Sequence, residues 1–338
     1  IASCLVGSEM CIRDRGKDMP LLLNGHSGQP TTLVLELTAT QQTFHFTKVA
    51  EKPVPSLLRN FSAPVVLEYD YSDDDLAFLM AHDSDAFNRW EAGQRLATRR
   101  LLALTKAAQQ AGSTLSVDVA LSDSLRASLN DQTLDPAFRE TVLTLPAETV
   151  IAEQMEVIDP QAIHTARRFL RLSLAQDLRK DFSAIYKANQ TEGAYSPDAA
   201  SSGKRALKNL ALSYLAELDD AEAHSLAQAQ YDAANNMTDR MASLAALANS
   251  QAPGKAEALA RFYSDFEQEP LVIDKWFSLQ AMARTTDVAT VRTLMKHPAF
   301  SIKNPNRARS LIFSFCNGNP SRFHAADGSG YAYWAEQV

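Results

Sequence analysis

The sequence predicts a mainly α protein, an irregular superhelical array of antiparallel helix pairs preceded by a partial β-sandwich remnant. Two observations predict it. Before Ser72 apolar residues recur at every second position, the period of half-buried strands; after it they recur at spacings of three, four and seven, the period of helices that bury one face. The helical segments are joined by short turns such as "LDP", "QAPG" and "HPAF", and short-looped antiparallel helix pairs stack into arrays. No sequence repeat recurs at a fixed period, so the array is expected to be irregular.

The 338 residues suffice for two domains and a sizeable core. Strands are predicted in "TTLVLELT" (31–38), "QTFHFTKV" (42–49) and "VVLEYDY" (65–71), where apolar and polar residues alternate. Between the last two, "PVPSLLRNFSAP" (53–64) carries prolines that suit a connection or an edge. Three strands make only part of a sandwich and leave edges open. In "SDDDLAFLM" Ser72 is placed to cap a helix whose first turn holds Asp73, Asp74 and Asp75. The cap oxygen accepts an orphan N–H, and the acids face the positive end of the helix dipole. The next helix threads Phe87, Trp90, Ala97, Leu101 and Leu104 and ends at a Gly112 C-cap. Further helices are predicted over 117–129, 135–143, 159–191, 203–218, 219–229, 237–249, 253–267, 272–282, 286–296 and 304–315.

Composition narrows the function. A net charge of -7 argues against a surface that tracks nucleic-acid phosphates. No apolar run approaches the length of a membrane span. Three cysteines do not form a disulfide framework, and Cys316 in "FSFCNGN" reads as a reduced, packed thiol, which points to the cytoplasm. A zinc hydrolase needs two histidines four apart on one helix face with a glutamate beside the first. Of His26, His45, His82, His164, His224, His297 and His324, none precedes a glutamate and no two lie four apart. No Gly-rich phosphate loop and no Gly-x-Ser-x-Gly elbow is present, and "DGSGY" (327–331) reads as a turn.

Three patches set polar residues beside aromatic or sulfur side chains. In "YDAANNMTDRMASL" (231–244) Asn236 caps a helix with Asp239 three residues on, and Met237, Met241 and Leu244 are expected in its core. In "DKWFSLQA" (274–281) Trp276 and Phe277 are expected to pack beneath a charged edge. "NPNRARSLIFSF" (304–315) starts a helix with Arg307 and Arg309. Cations at that end oppose the dipole; solvated surface arginines are the first reading, and an anionic or carboxylate partner is the alternative.

These patches, together with "FSAPVVLEYDYSDDDLAFLMAHDSDAFNRWEAGQ" and "NPSRFHAADGSGY", resemble the C-terminal part of the bacterial aminopeptidase N family of zinc-dependent alanyl aminopeptidases. The resemblance implies the end of a small β-sandwich over 16–70, joined to a large helical domain over 71–338 that stops short of its last helices. It implies that the parent enzyme holds a zinc ion that polarises the peptide carbonyl and activates water, with a glutamate as base. The helical domain would enclose the chamber that admits peptide substrates. Arg309, the second arginine of the "NPNR-x-R" segment, would line that chamber, with Arg307 as a second candidate. The zinc-binding motif itself is not in this chain, so the chain alone is expected to be inactive and to bind no cofactor. A free-standing helical module that binds peptides or a partner protein is the alternative.

The opening "IASCLVGSEMCIRDR" does not fit this frame. Cys4 has only three residues before it, too few for a lipoprotein signal, and nothing periodic would hold Cys4 near Cys11. The string resembles a translated sequencing-adaptor tail, so residues 1–15 are expected to be unstructured and to lie outside the fold.

Overall fold

A computed structural model of the chain describes residues 6–14, 17–23, 30–49, 52–110, 112–117 and 119–337. The chain divides into two compact units, residues 1–100 with 117–146, and residues 101–116 with 147–338.

In the first unit, β1 (Val6–Asp14) is the central strand. It pairs antiparallel with β2 (Lys17–Asp18), β4 (Leu33–Leu37) and β6 (Val54–Leu57), while β3 (Leu22–Leu23) and β5 (Phe46–Thr47) form a separate two-stranded sheet. The expectation that residues 1–15 lack structure is therefore corrected for 6–14; residues 1–5 and 15 lie outside the described residues. The reason is a vacancy in the ladder that alternation elsewhere did not reveal. β4 and β6 each offer a row of backbone donors and acceptors, and β1 satisfies both, with Ser8 opposite Leu35 and Cys11 opposite Ser56. Pro55 lies on β6, which pairs with β1 alone, so its missing N–H costs no ladder bond.

Two of the expected strands are corrected. Residues 42–49 contribute only Phe46–Thr47, and 65–71 form no strand. Two carbonyls of 65–71 take side-chain donors: Arg95 Nη2 donates to Tyr69 O at 2.9 Å and Arg99 Nη1 to Tyr71 O at 2.8 Å. Side-chain guanidinium groups replace the neighbouring strand that alternation alone suggests.

The helices of this unit are α1 (Asp73–His82), α2 (Ala86–Ala108, continuing into the second unit), α3 (Val119–Asn130) and α4 (Pro136–Leu143). α1 begins as expected. Ser72 Oγ accepts from Asp75 N–H at 3.1 Å, and the Asp75 carboxylate accepts from Ser72 N–H at 3.0 Å. This reciprocal capping box contributes about 1 kcal/mol. The last strand ends at Leu57 and the first α-helix begins at Asp73. A buried polar joint ties them together: Arg59 Nη1 meets Asp83 Oδ1 at 3.2 Å, and Asn88 Nδ2 donates at 2.8 Å to both Ser56 Oγ and Leu57 O. Tyr71 adds a hydroxyl bond to Pro55 O at 2.8 Å. The loop that presents Arg59 holds Leu58, Asn60 and Phe61 at φ of 54°, 54° and 52°. Left-handed geometry disfavours Leu58 and Phe61 by roughly 1–2 kcal/mol each, while Asn60 tolerates it, so the joint must hold the loop in place.

The second unit contains α5 (Glu148–Ala152), α6 (Pro160–Asp177), α7 (Arg179–Ala188), α8 (Ala199–Leu215), α9 (Ala221–Ala233) and α10 (Met237–Ala248). It continues with α11 (Lys255–Phe266), α12 (Pro270–Ala281) and α13 (Val288–Met295). α14 (Pro305–Ala308) runs through a π turn at Arg309–Phe313 into α15 (Ser314–Gly318), and α16 (Pro320–Phe323) and α17 (Ser329–Gln337) follow. Asp159, Asp198, Asp220, Asn236, Asp287 and Asn304 each accept a backbone N–H of the helix they open. The single helix expected over 159–191 is two, broken at the fully buried Leu178, and α7 then packs on α8 with Phe182 and Tyr214 stacked 4.5 Å apart. The sequence reading missed α5, α16 and α17. Of "DGSGY", expected as a turn, only Asp327 and Gly328 precede α17, and Ser329–Tyr331 are its first turn: Asp327 accepts from Ser329 N–H, Gly328 has φ +73°, and a Cβ on Gly330 would strike the Phe323 carbonyl. Cys316 is buried, and burial pushes its thiol up to about 11.

Loss of the Asp83 carboxylate leaves the Arg59 charge buried without it, so Asp83→Ala is expected to cost about 3–5 kcal/mol in urea unfolding. The exposed Arg261–Asp232 pair, 2.8 Å apart, provides the control: Asp232→Ala should cost about 1 kcal/mol or less. Equal losses would refute the joint.

Candidate functional site

α6 carries the string "HTARRFLR" (164–171). Arg167 and Arg171 lie one turn apart, and no acid stands three or four positions from either on this helix. Their compensation comes from other helices. Glu217, in the short turn that ends α8, meets Arg171 Nε at 2.9 Å and Arg284 Nη1 at 2.6 Å. Arg171 also donates to Ser213 O and Oγ at 3.1 Å and lies 4.5 Å over the Tyr214 ring. Arg284 is fixed behind by Asn249, whose backbone carbonyl accepts from Nε at 2.7 Å. Burial by itself would raise the Glu217 carboxyl, yet Arg171 and Arg284 together hold it below the usual glutamate range. Burial, and then the neighbouring Arg171 charge, lower Arg167.

These side chains line a cavity of about 360 Å³. Its opposite wall is apolar, formed by Ala242, Ala245, Ala246 and Met282. A wider cavity of about 1230 Å³ shares Ala242, Ala245, Asn249 and Met282 and adds Met237, Met241, Leu271 and Leu279. A third, of about 290 Å³, shares His164, Arg167, Met282 and Arg284 and reaches Asn319. Met282 lines all three, so a cationic cavity and a methionine-rich one adjoin as a groove within the helical unit. Met237 and Met241 were expected in the core; they are half-buried and line this groove, while Leu244 is fully buried. The reason is the Asn236 cap, which turns the start of α10 so that Asp239 faces inward. Asp239 meets Lys208 Nζ at 2.8 Å and accepts from Asn209 Nδ2 at 2.9 Å. Burial would raise this carboxyl, and the bonds from Lys208, Asn236 and Asn209 lower it.

The two arginines of "NPNRAR" part company. Arg307 is buried: Nε meets Asp274 Oδ1 at 2.6 Å, Nη1 donates to Ala299 O at 2.6 Å and Nη2 to Pro270 O at 3.2 Å. Its guanidinium also lies 5.2 Å from the Phe277 ring centre. Asp274 is thus the carboxylate partner of Arg307, which anchors α14 to α12. Trp276 and Phe277 are buried, as expected. Arg309 is exposed and opens the π turn; among the described residues its guanidinium makes no recorded hydrogen bond or ion pair. The sequence reading missed Arg167, Arg168, Arg171, Glu217 and Arg284. The available signal was three arginines within one turn and a half of α6 with no acid alongside.

The described histidines of the helical unit have structural partners. His164 meets Glu148 at 2.9 Å and His224 meets Asp219 at 2.7 Å. His324 meets the Tyr331 hydroxyl at 2.6 Å, and His297 packs among Tyr263, Trp276 and Phe277. His26 lies outside the described residues. Among the described residues no group of three or more His, Cys, Asp or Glu side chains is arranged to hold a metal ion. The described residues therefore do not fit zinc, and the groove offers fixed cations, amides and thioethers suited to binding.

Residues 73–338 match the family model of DUF3458_C, a domain of unknown function described as ARM repeats, and residues 9–70 match that of DUF3458, a domain of unknown function with an Ig-like fold. The chain is 43% identical over 327 residues to aminopeptidase N of Escherichia coli, covering 96% of this chain and 37% of that protein. It is 38% identical over 320 residues to aminopeptidase N of Caulobacter vibrioides, covering 94% of this chain and 36% of that protein. Among solved structures it resembles Legionella pneumophila aminopeptidase A, crystallised in complex with aspartic acid, with a TM-score of 0.80 and 27% identity over 98% of this chain and 38% of that one. The chain thus spans a little over a third of the length of these relatives.

Because Glu217 is held below its unfolded value, its stabilising effect is fully present above about pH 4.3 and is lost as pH falls through the folded value. Glu217→Gln is expected to cost about 3 kcal/mol at neutral pH and to flatten the fall in melting temperature as pH drops below about 4.3. Parallel profiles for the two proteins would contradict the assignment.

Proposed function

We propose, on the premise that this chain belongs to the DUF3458_C family of ARM-repeat domains and is homologous to bacterial aminopeptidase N, that it is the non-catalytic portion of a zinc aminopeptidase that removes N-terminal residues from peptides. The observation that carries the reading is the match itself: 96% of the chain aligns with 37% of an aminopeptidase N at 43% identity. In this reading the helical domain encloses the peptide chamber, and the zinc is held by residues other than those described. No chemical step runs through the residues of this chain. They bind and orient.

Arg309 is the residue assigned to peptide contact. Its exposed guanidinium has no recorded internal partner among the described residues, so it is available to a carboxylate or a peptide carbonyl. Arg307 supports it from beneath by locking α14 to α12 through Asp274. The methionine end of the groove suits apolar peptide side chains of varied shape, because thioethers adapt their packing. Among the described residues no helix is long and apolar enough to cross a membrane. The reading places the enzyme in the cytoplasm with peptides as partners and no nucleic acid.

The test uses alanine p-nitroanilide. The purified chain, supplied with zinc, is expected to hydrolyse it at the buffer rate and to retain no stoichiometric metal. Joined behind the residues that precede the matched region in the Escherichia coli relative, it should support hydrolysis of alanyl peptides. Arg309→Ala in that chimera should lower kcat/KM about tenfold. Clear turnover by the chain alone, or a folded, active chimera indifferent to Arg309→Ala, would overturn the corresponding part of the reading.

A further inference from the structure

We infer that the cationic end of the groove, walled by Arg167, Arg168, Arg171 and Arg284, is a binding site for an oxyanion, a carboxylate or a phosphate. The charge balance argues for it. Four guanidinium groups face a cavity of about 360 Å³ whose lining acids are Glu148 and Glu217. Glu217 is committed to Arg171 and Arg284, and Glu148 is bonded to His164 at 2.9 Å. The cavity keeps an excess of positive charge against an alanine wall.

Two of the arginines are also held in place. Arg171 is fixed by Glu217, Ser213 and the Tyr214 face, and Arg284 by Glu217 and Asn249. A planar fork that is already oriented loses little freedom on binding a carboxylate or phosphate, which is why arginine serves such sites. Arg168 is exposed at the rim, with no recorded hydrogen bond or ion pair among the described residues. It is the group free to close on an arriving anion. The cavity's size suits a small polyanion or the carboxylate end of a larger ligand that continues along the methionine groove. The inference does not rest on the peptidase reading, since it needs only this groove.

Titration calorimetry on the whole chain at fixed ionic strength separates the sources. The probes are inorganic phosphate, citrate, and a tetrapeptide as its free acid and as its amide. Saturable binding of phosphate or citrate, or of the acid but not the amide, is expected. It should weaken about tenfold in Arg168→Ala and further in Arg167→Met/Arg168→Ala. Arg168 is exposed, so its replacement leaves folding intact, as an unchanged melting curve would show. Which probe binds identifies the source of the oxyanion. No saturable binding of any probe, or binding indifferent to both variants and thus an adventitious ion only, would overturn the site.

Discussion

The helical unit depends on one carboxylate. Glu217 sits where α8 ends and takes Arg171 from α6 on one oxygen and Arg284, beyond α12, on the other. Three segments far apart in sequence are fixed by a single residue, and each arginine is held again by a backbone carbonyl, Ser213 O or Asn249 O. Buried charges of this kind rarely contribute much net stability, because desolvation offsets their attraction. Their effect here is geometric. The bridge sets the spacing of α6, α8 and the end of α12, and that spacing is the width of the groove.

Similar joints recur at smaller scale. Asp239 draws Lys208 and Asn209 of α8 toward α10, and Arg307 locks α14 to α12 through Asp274. In each case the helix face that would otherwise need an apolar neighbour meets a satisfied polar network instead. That leaves apolar side chains such as Met237, Met241 and Met282 uncommitted to the core and lining the groove. An irregular helix array built on such joints can keep a concavity open, where continuous leucine packing would close it.

How much of this could be read in the sequence follows from the range of the interactions. The Ser72 capping box and the Asn236 cap were legible, as was the turn at Asp327, since each acts within three residues of itself. The change from period two to helical period was legible for the same reason. β1 was not, because its strand character depends on partners at Leu33–Leu37 and Val54–Leu57. Residues 65–71 alternate like a strand, but arginines of α2 take two of their carbonyls. For the site, "NPNRAR" drew attention to a charge problem, and half of it is solved by Asp274, a partner 33 residues away. The Glu217 bridge spans 46 and 67 residues and leaves no local pattern beyond unmatched arginines on α6.

The bridge is also where the account is most exposed. Hydrogen exchange resolved by segment, comparing the parent chain with Glu217→Gln, tests it directly. If one carboxylate fixes three segments, amides in α6, in the second half of α8 and around Arg284 lose protection together, while α3 and α4 keep theirs. Loss confined to residues 216–218, with α6 and the Arg284 segment unchanged, would contradict it.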